Sequence, residues 1–172
     1  MFSTIKISQP APHFKLKGSL NGSIESYELT QYKDKWVVLF FYPADFTTIC
    51  PTEVTAFNTA LKEFGSRNVQ ILGCSVDSPY VHAAWANSLG GVAYPLLSDV
   101  HHTVSMDYSV YDELEAQSLR GTFIIDPDGN LKWYQISDVN IGRSIIEILR
   151  VTDAIQTGER CPVDWKKGDQ TL

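Results

Sequence analysis

The sequence has little cysteine, few basic residues and no long apolar run, and each of these shortages argues against a class of function. It contains three cysteines among 172 residues, too few for the disulfide framework that small secreted domains need. Basic residues are outnumbered, with 14 Lys and Arg against 20 Asp and Glu and a net charge of −6. Because nucleic-acid binding depends largely on neutralising phosphates, this balance argues against nucleic acid as the main partner.

Long apolar runs are also missing. The longest, from Trp36 to Tyr42, is far too short to cross a bilayer, and the first residues contain no apolar core of signal-peptide length. We therefore expect a cytoplasmic protein without membrane contact. Three cysteines in that compartment are more typical of a reaction cycle than of permanent cross-links. The pair His101-His102 has no further ligand cluster, so no metal and no cofactor are expected.

What is present is an alternation of strand-like and helix-like segments. The continuous apolar run WVVLFFY (36–42) is typical of a central strand covered on both faces. Apolar residues spaced by three and four then predict a helix from Cys50 to Phe64, stopped by Gly65. A second buried strand is predicted at 68–76, and a short strand at 95–99.

The other predicted elements complete an α/β pattern. They are an N-terminal hairpin turning at Asn21-Gly22, a helix from Asp77 to about Leu89, a hairpin of 121–126 with 131–136, and a last helix whose stripe runs from Ile141 to Ile155 and ends at Gly158. This order predicts a thioredoxin-like α/β/α sandwich in a single domain over residues 1–172. Its aperiodic tail, about 159–172, carries Cys161.

The stretch FYPADFTTICPTE (41–53) holds the clearest chemical signal. It places Pro43, Thr47 and Cys50 at the spacing PxxxTxxC between the central strand and the next helix. A helix N-terminus offers free backbone N–H groups and a positive dipole end, so the position favours a thiolate. Thr47 and Thr48 both compete as the N-cap of this helix.

Five ordered motifs resemble the typical two-cysteine peroxiredoxins, particularly the alkyl hydroperoxide reductase C component. They are FYPADFTTICPTE, CSVDS (74–78), LRGTFIIDPDG (119–129), IGRS (141–144) and GERCPVDWKKG (158–168). The resemblance extends over essentially the whole chain. It implies a peroxiredoxin fold and a thiol peroxidase that reduces hydrogen peroxide and organic hydroperoxides.

The resemblance also implies roles for individual residues. Cys50 corresponds to the peroxidatic cysteine, and Cys161 to a resolving cysteine donated by the partner subunit of a head-to-tail homodimer. The remaining matches are Pro43, Thr47 and Arg120 in the active site, with Glu53 and Arg143 at positions that help to hold the arginine. The resulting disulfide would be reduced by thioredoxin or a dedicated flavoprotein. A dimer and a decameric ring are both compatible with the motifs.

Ionisation alone is too small an effect to explain such a peroxidase. A free cysteine is only a few per cent thiolate at neutral pH, so complete ionisation gains about 30-fold, roughly 2 kcal/mol. The rest must come from groups that stabilise charge on the leaving oxygen. Arg120 can donate to sulfur and peroxide from one rigid fork, Thr47 can bridge thiolate and peroxide, and Pro43 keeps water out.

Two other functions remain as alternatives. A general thiol-disulfide oxidoreductase typically has CxxC at the helix start, whereas Cys50 is followed by Pro51, Thr52 and Glu53. A holdase role could only be an addition to catalysis.

The region Gly90-Gly91-Val92-Ala93 differs from the GGLG loop of peroxide-sensitive relatives, and their Tyr-Phe pair is absent, so resistance to overoxidation is expected.

The sequence also offers structural interpretations for residues outside the motifs. Cys74 lies in an apolar strand and is expected to behave as a small buried hydrophobe. The isolated His13 and His82 are expected to be solvated.

Overall fold

The computed structural model of the protein describes residues 5–172. The strands are β1 Lys15–Leu20, β2 Ser23–Glu28, β3 Trp36–Phe41, β4 Val69–Ser75, β5 Leu96–Ser98, β6 Tyr111–Asp112, β7 Gln117–Ser118, β8 Arg120–Ile125 and β9 Leu131–Ser137. The helices are α1 Cys50–Thr59, α2 Leu61–Gly65, α3 Pro79–Ser88, α4 Thr103–Asp107 and α5 Ile145–Thr157, with a 3-10 turn at Leu29–Tyr32. Within the described residues, no helix is long and apolar enough to span a membrane.

Seven strands form one mixed sheet in the order β2-β1-β5-β4-β3-β8-β9. Strands β3, β4 and β5 are parallel to one another, while β8 runs antiparallel to β3. Phe40 near the end of β3 is paired with Thr122 near the start of β8. This register brings Arg120, the first residue of β8, to the edge of the sheet from which the chain leaves β3 toward Cys50.

The central strand β3 is buried on both faces, which explains its unbroken apolar sequence. Val38 and Phe40 belong to a core that includes residues of α1, α3 and α5. Val37 and Leu39 point to the opposite face and join a second core that includes residues of α4. The alternation follows from strand geometry, in which successive side chains point to opposite faces.

The helix predicted from Cys50 to Phe64 is two helices separated at Ala60. Thr55 and Thr59 donate their hydroxyls back to the carbonyls of Pro51 and Thr55, at 2.7 and 2.9 Å. Such back-bonding of threonine weakens and bends helices. The apolar spacing across the break remains regular, so periodicity alone could not reveal it.

The last helix and the tail also differ from the expectation. The α5 helix begins only at Ile145, because the Ser144 hydroxyl caps it by accepting the Glu147 N–H at 3.2 Å. It ends as predicted at Gly158, which has the left-handed φ of 69° that favours glycine there. The aperiodic tail packs against this helix: Trp165 is buried, and its carbonyl accepts from Arg150 at 3.0 Å.

Candidate active site

Cys50 is the first residue of α1, and its side chain is completely buried. The helix has Ile49 at its N-cap, without a side-chain cap hydrogen bond, and Pro51 in its first turn. The prediction that Thr47 or Thr48 caps the helix was therefore wrong. Ile49 already has helical backbone angles, which places the start of the helix after both threonines. The thiol lies at a helix N-terminus, as the sequence indicated, but that terminus has no side-chain cap.

Arg120 contacts the sulfur directly. Its Nη1 donates to Cys50 Sγ at 3.4 Å and to Glu53 Oε2 at 2.7 Å, while Nε donates to the Val139 carbonyl at 2.8 Å. The side chain is only 4% exposed. Three bonds from a planar group fix its orientation, so the positive charge is held beside the thiol.

Glu53 lies one helical turn after Cys50 and binds two arginines. In addition to the Arg120 contact, it accepts from Arg143 Nε at 3.0 Å, from Arg143 Nη2 at 2.9 Å and from the Arg143 backbone N–H at 2.9 Å. Burial alone would raise the pKa of Glu53, but the hydrogen bonds and charge of Arg143, together with the charge of Arg120, leave its pKa below the ordinary value. The carboxylate therefore stays ionised and positions both guanidinium groups.

Arg143 connects this cluster to the sheet. Its guanidinium donates to the carbonyls of Gly121 at 2.8 Å and Phe41 at 2.6 Å, and its Cζ lies 5.0 Å from the centre of the Phe40 ring. Burial is the main cause that lowers the pKa of Arg143, and Glu53 opposes that shift. Arg143 thus ties α1 to the ends of β3 and β8 and does not contact the sulfur.

Pro43 and Thr47 lie in the loop between β3 and α1. Pro43 is buried, whereas Thr47 is exposed and donates its hydroxyl proton to the Ala44 carbonyl at 2.9 Å. Between them, Phe46 adopts a left-handed φ of 56°. Because its proton is used by Ala44, the Thr47 oxygen is left as an acceptor for an incoming donor.

A buried polar group that the sequence analysis missed anchors the same loop. Asp45 Oδ2 lies 2.7 Å from His82 Nδ1, and Asp45 Oδ1 accepts from the Tyr42 hydroxyl at 2.8 Å. His82 Nε2 lies 2.9 Å from the Leu97 carbonyl, so the ring bridges the Asp45 carboxylate and β5. The Asp45 N–H donates to Asp77 at 2.9 Å. These bonds fix the loop to β5 and α3.

The prediction of a solvated His82 was wrong, since the side chain is completely buried. A signal was present in the sequence. His82 precedes Trp85 by three residues, and Trp85 is one of the buried residues of α3. Residues three apart on a helix share a face. Without a partner known for the histidine, that spacing could not distinguish a core position from a surface one.

The other two cysteines lie in different surroundings, and all three are free thiols. Cys74 is fully buried, and burial, followed by the charge of Asp99, raises the pKa of its thiol well above the ordinary value, as suits a core residue. Cys161 is half-buried at the end of α5, where its sulfur lies 3.5 Å from Thr157 Oγ1. Cys161 is thus held against the end of α5 by Thr157 and Ala154, and among the described residues it has no hydrogen bond to the Cys50 cluster.

The structure therefore brings Cys50, Arg120, Glu53 and Arg143 into one hydrogen-bonded cluster, with the Pro43 to Thr47 loop next to it. Across residues 5–172, no group of three or more His, Cys, Asp and Glu side chains is arranged to hold a metal ion. The adjacent His101 and His102 differ in environment, because His102 stacks on Tyr111 with ring centres 4.7 Å apart.

The buried Cys50 at a helix N-terminus, with Arg120 hydrogen-bonded to its sulfur, places this protein among the reactive-thiol proteins with a thioredoxin-like fold. The AhpC/TSA family model matches residues 7–134. Peroxiredoxin-4 of Rattus norvegicus is 44% identical over 180 residues, which cover 99% of this chain and 66% of that protein. The thioredoxin-dependent peroxide reductase, mitochondrial, of Drosophila melanogaster is 45% identical over 95% of this chain and 74% of its own length.

The solved structures agree with the sequence relatives. The reduced 2-Cys peroxiredoxin of Plasmodium vivax superposes with a TM-score of 0.92 at 40% identity, covering 98% of this chain and 93% of the other. The chain therefore belongs to the AhpC/TSA family, in its two-cysteine peroxiredoxin group, and the predicted thioredoxin-like fold is confirmed. It spans about two thirds (66%) of the length of the Peroxiredoxin-4 relatives that it matches.

Proposed function

We propose that this protein is a thiol peroxidase that reduces hydrogen peroxide and small organic hydroperoxides at Cys50. The observation that carries the proposal is the 3.4 Å contact between Arg120 Nη1 and the Cys50 sulfur at the start of α1. In the proposed reaction this fixed cation lies beside the attacking sulfur, where it can stabilise negative charge that develops on the peroxide. The burial of Cys50 limits access by water, and Thr47 lies exposed on the loop just before it.

In the first step, the Cys50 thiolate attacks one oxygen of the peroxide and the O–O bond breaks. The sulfur is oxidised to a sulfenic acid, and the other oxygen leaves with a proton as water or an alcohol. Charge builds on the leaving oxygen, so donors that are already oriented contribute most. Arg120 supplies such donors, Glu53 and Arg143 hold it in place, and Thr47 accepts a hydrogen bond from the peroxide.

In the second step, the Cys161 thiolate of a partner subunit attacks the sulfenic sulfur. Hydroxide leaves the sulfur and takes up a proton to form water. The product is an intersubunit disulfide, which an external dithiol then reduces in exchange for its own oxidation. The relative from Drosophila melanogaster is named thioredoxin-dependent, which supports thioredoxin as the electron donor over a dedicated flavoprotein. Antioxidant defence would be the cellular role.

Two exposed apolar surfaces support self-assembly. Strand β9 carries the exposed Tyr134 and Ile136 and lies at the end of the sheet, where, among residues 5–172, its outer edge pairs with no further strand and a second copy could extend it. Phe46 and Tyr80, which are 63% and 71% exposed, lie on the loop and α3. A homodimer through β9 and a ring through the second surface would cover both.

The alternative of a general thiol-disulfide oxidoreductase has less support. Such an enzyme needs its second thiol close to the first, whereas Glu53, and not a cysteine, occupies the position three residues after Cys50, where it binds both arginines. No observation favours a holdase function independently of the peroxidase.

The test uses three variants, each with one cysteine replaced, and measures peroxide consumption with reduced thioredoxin as the only electron donor. Cys50→Ser is expected to abolish turnover, and Cys161→Ser to permit one turnover that stops at the sulfenic acid. Cys74→Ala serves as the control and should keep normal turnover. On non-reducing gels, peroxide-treated wild type should run as a covalent dimer. Normal multiple turnover by Cys50→Ser would disprove the proposal, and the absence of a dimer would disprove the intersubunit disulfide.

A further inference from the structure

The contacts that hold α1 in place differ between its first turn and its later turns. Its first turn has no side-chain cap, and Pro51 there has no N–H to donate. Two of its side chains, Cys50 and Glu53, are bound from outside the helix by Arg120 and Arg143, and the rest of the turn is secured by local bonds such as Thr52 Oγ1 to the Ile49 carbonyl at 2.6 Å. An uncapped first turn is the part of a helix that unwinds most easily.

The second turn is fixed by a buried tyrosine. Tyr94 is only 1% exposed, and its hydroxyl donates to the Val54 carbonyl at 2.9 Å. Its ring lies edge-on to Phe40 at 6.0 Å, and Phe40 in turn stacks on Phe57 of α1 at 4.2 Å. Rotation of the Val54 peptide would leave a buried phenol without a partner, which is costly.

A second contact from the same segment holds α1 one turn later. We call this contact and the Tyr94–Val54 hydrogen bond the two brackets of α1. The Asn58 side chain accepts the Ala93 N–H at 2.8 Å and donates to the Gly91 carbonyl at 3.4 Å. Both brackets come from the segment just before β5, which therefore follows the outer part of α1. Val54 and Phe57 are completely buried beneath it.

We propose that Tyr94 is a positioning residue that sets the limit of unwinding in α1 during the reaction cycle. The inference rests on the proposed function, in which the fully buried Cys50 must leave its pocket to form a disulfide, since disulfides require Cα atoms within about 7 Å. Residues 50–53 unwind, while Val54 and the following residues stay helical. Glu53 is the last released residue and the first to return to its arginines.

This boundary fixes how far the thiol can move. Four released residues extend at most about 14 Å from the held Val54, compared with about 6 Å in the helix. A short tether of fixed length limits the search for the partner's thiol and lets the pocket close again once the disulfide is reduced. Without the bracket, unwinding would continue through Val54 and expose the core beneath it.

The experiment compares amide hydrogen exchange in the reduced form and in the peroxide-generated disulfide form. In an α-helix, the Asn58 amide donates to the Val54 carbonyl, so its protection reports whether Val54 is still helical. In the wild type, this amide should be protected in both forms. In Tyr94→Phe, which keeps the ring, it should lose protection about fivefold or more in the disulfide form, with little change in the reduced form.

Tyr108→Phe is the matched control, because Tyr108 is also fully buried and donates its hydroxyl to a backbone carbonyl, that of Pro12, at 2.8 Å. It should leave the Asn58 amide unchanged in both forms. Asn58→Ala is a second test variant, in which amides after residue 58 should lose protection in the disulfide form.

Three results would overturn the inference. Equal loss of protection in both forms of Tyr94→Phe would indicate only a structural role, and unchanged protection in both forms would show that Tyr94 sets no boundary. A wild type that forms the Cys50–Cys161 disulfide while the Asn58 amide is already unprotected would place the boundary elsewhere. If peroxide produces no such disulfide in the wild type, the resolving step of the proposed function fails, and this failure is thereby distinguished from that of the Tyr94 boundary.

Discussion

Arg120 Nη1 lies 3.4 Å from Cys50 Sγ, and the same nitrogen lies 2.7 Å from Glu53 Oε2. One donor nitrogen thus serves both the reactive sulfur and the carboxylate that holds it. The position of Arg120 beside the sulfur is therefore held by Glu53, which itself has no hydrogen bond to the sulfur in the part of the chain that the structure describes.

Arg120→Lys should slow the oxidation of reduced protein by hydrogen peroxide by about 100-fold, the cost of removing one preorganised donor at a developing anion. A lysine keeps the charge but loses the fork that reaches Val139, Glu53 and sulfur together. The rate is measured by stopped-flow fluorescence. Arg150→Lys, which changes a partly exposed pair with Glu147, is the control and should react like wild type; equal rates for all three proteins would contradict the role of Arg120.

Glu53→Gln should lower the free energy of unfolding by about 3 kcal/mol, because it leaves two buried arginines without their carboxylate. Urea denaturation at neutral pH measures this. Glu147→Gln, at a partly exposed ion pair, should cost less than about 1 kcal/mol. An unfolding free energy of Glu53→Gln within error of wild type would show that the arginine pair does not depend on this carboxylate.

The same variant gives a pH prediction. The pKa of Glu53 is lowered in the folded state, so its contribution to stability is present above the unfolded pKa and is lost as the pH falls through the folded pKa. Wild type should therefore lose stability on acidification more steeply than Glu53→Gln below about pH 4.5. Urea midpoints measured from pH 7 down to pH 3 would reveal this; parallel curves would exclude Glu53 as the titrating group.

His82→Phe should destabilise the fold by about 3 kcal/mol, because it leaves the Asp45 carboxylate buried without its ring partner. It should also slow peroxide oxidation, since Asp45 anchors the loop that carries Pro43 and Thr47. His13→Phe, at an exposed position, is the matched control. Thermal unfolding that is the same for both variants would mean that the buried pair contributes no net stability.

Thr47→Val should slow peroxide oxidation about tenfold, while Thr47→Ser should remain near the wild-type rate. Serine keeps the hydroxyl that donates to the Ala44 carbonyl and offers its oxygen to the peroxide, whereas valine keeps only the shape. Stopped-flow traces of the two variants, recorded at the same pH, decide the matter. A slow Thr47→Ser protein would point to the methyl group and not to the hydroxyl.

The sequence predicted the cysteine part of this site because the residues that identify it lie close together in the chain. Pro43, Thr47 and Cys50 lie between the end of a buried strand and the start of a helix. The strand end and the helix start are both where the sequence predicted them. The residues that complete the cluster were assigned through the resemblance, because no local rule connects positions 53, 120 and 143. Their roles in catalysis, the resolving role of Cys161 and the cytoplasmic location remain predictions.

By itself, the sequence determined the α/β alternation, the central strand and the place of the thiol at a helix N-terminus, since each depends on periodicity over a few neighbouring residues. Only the tertiary structure decided which groups surround Cys50. The antiparallel register of β3 and β8 brings Arg120 to the sulfur, and packing of the segment before β5 places Tyr94 on Val54. These contacts join residues 40 to 70 positions apart, and so depend on the whole chain being folded.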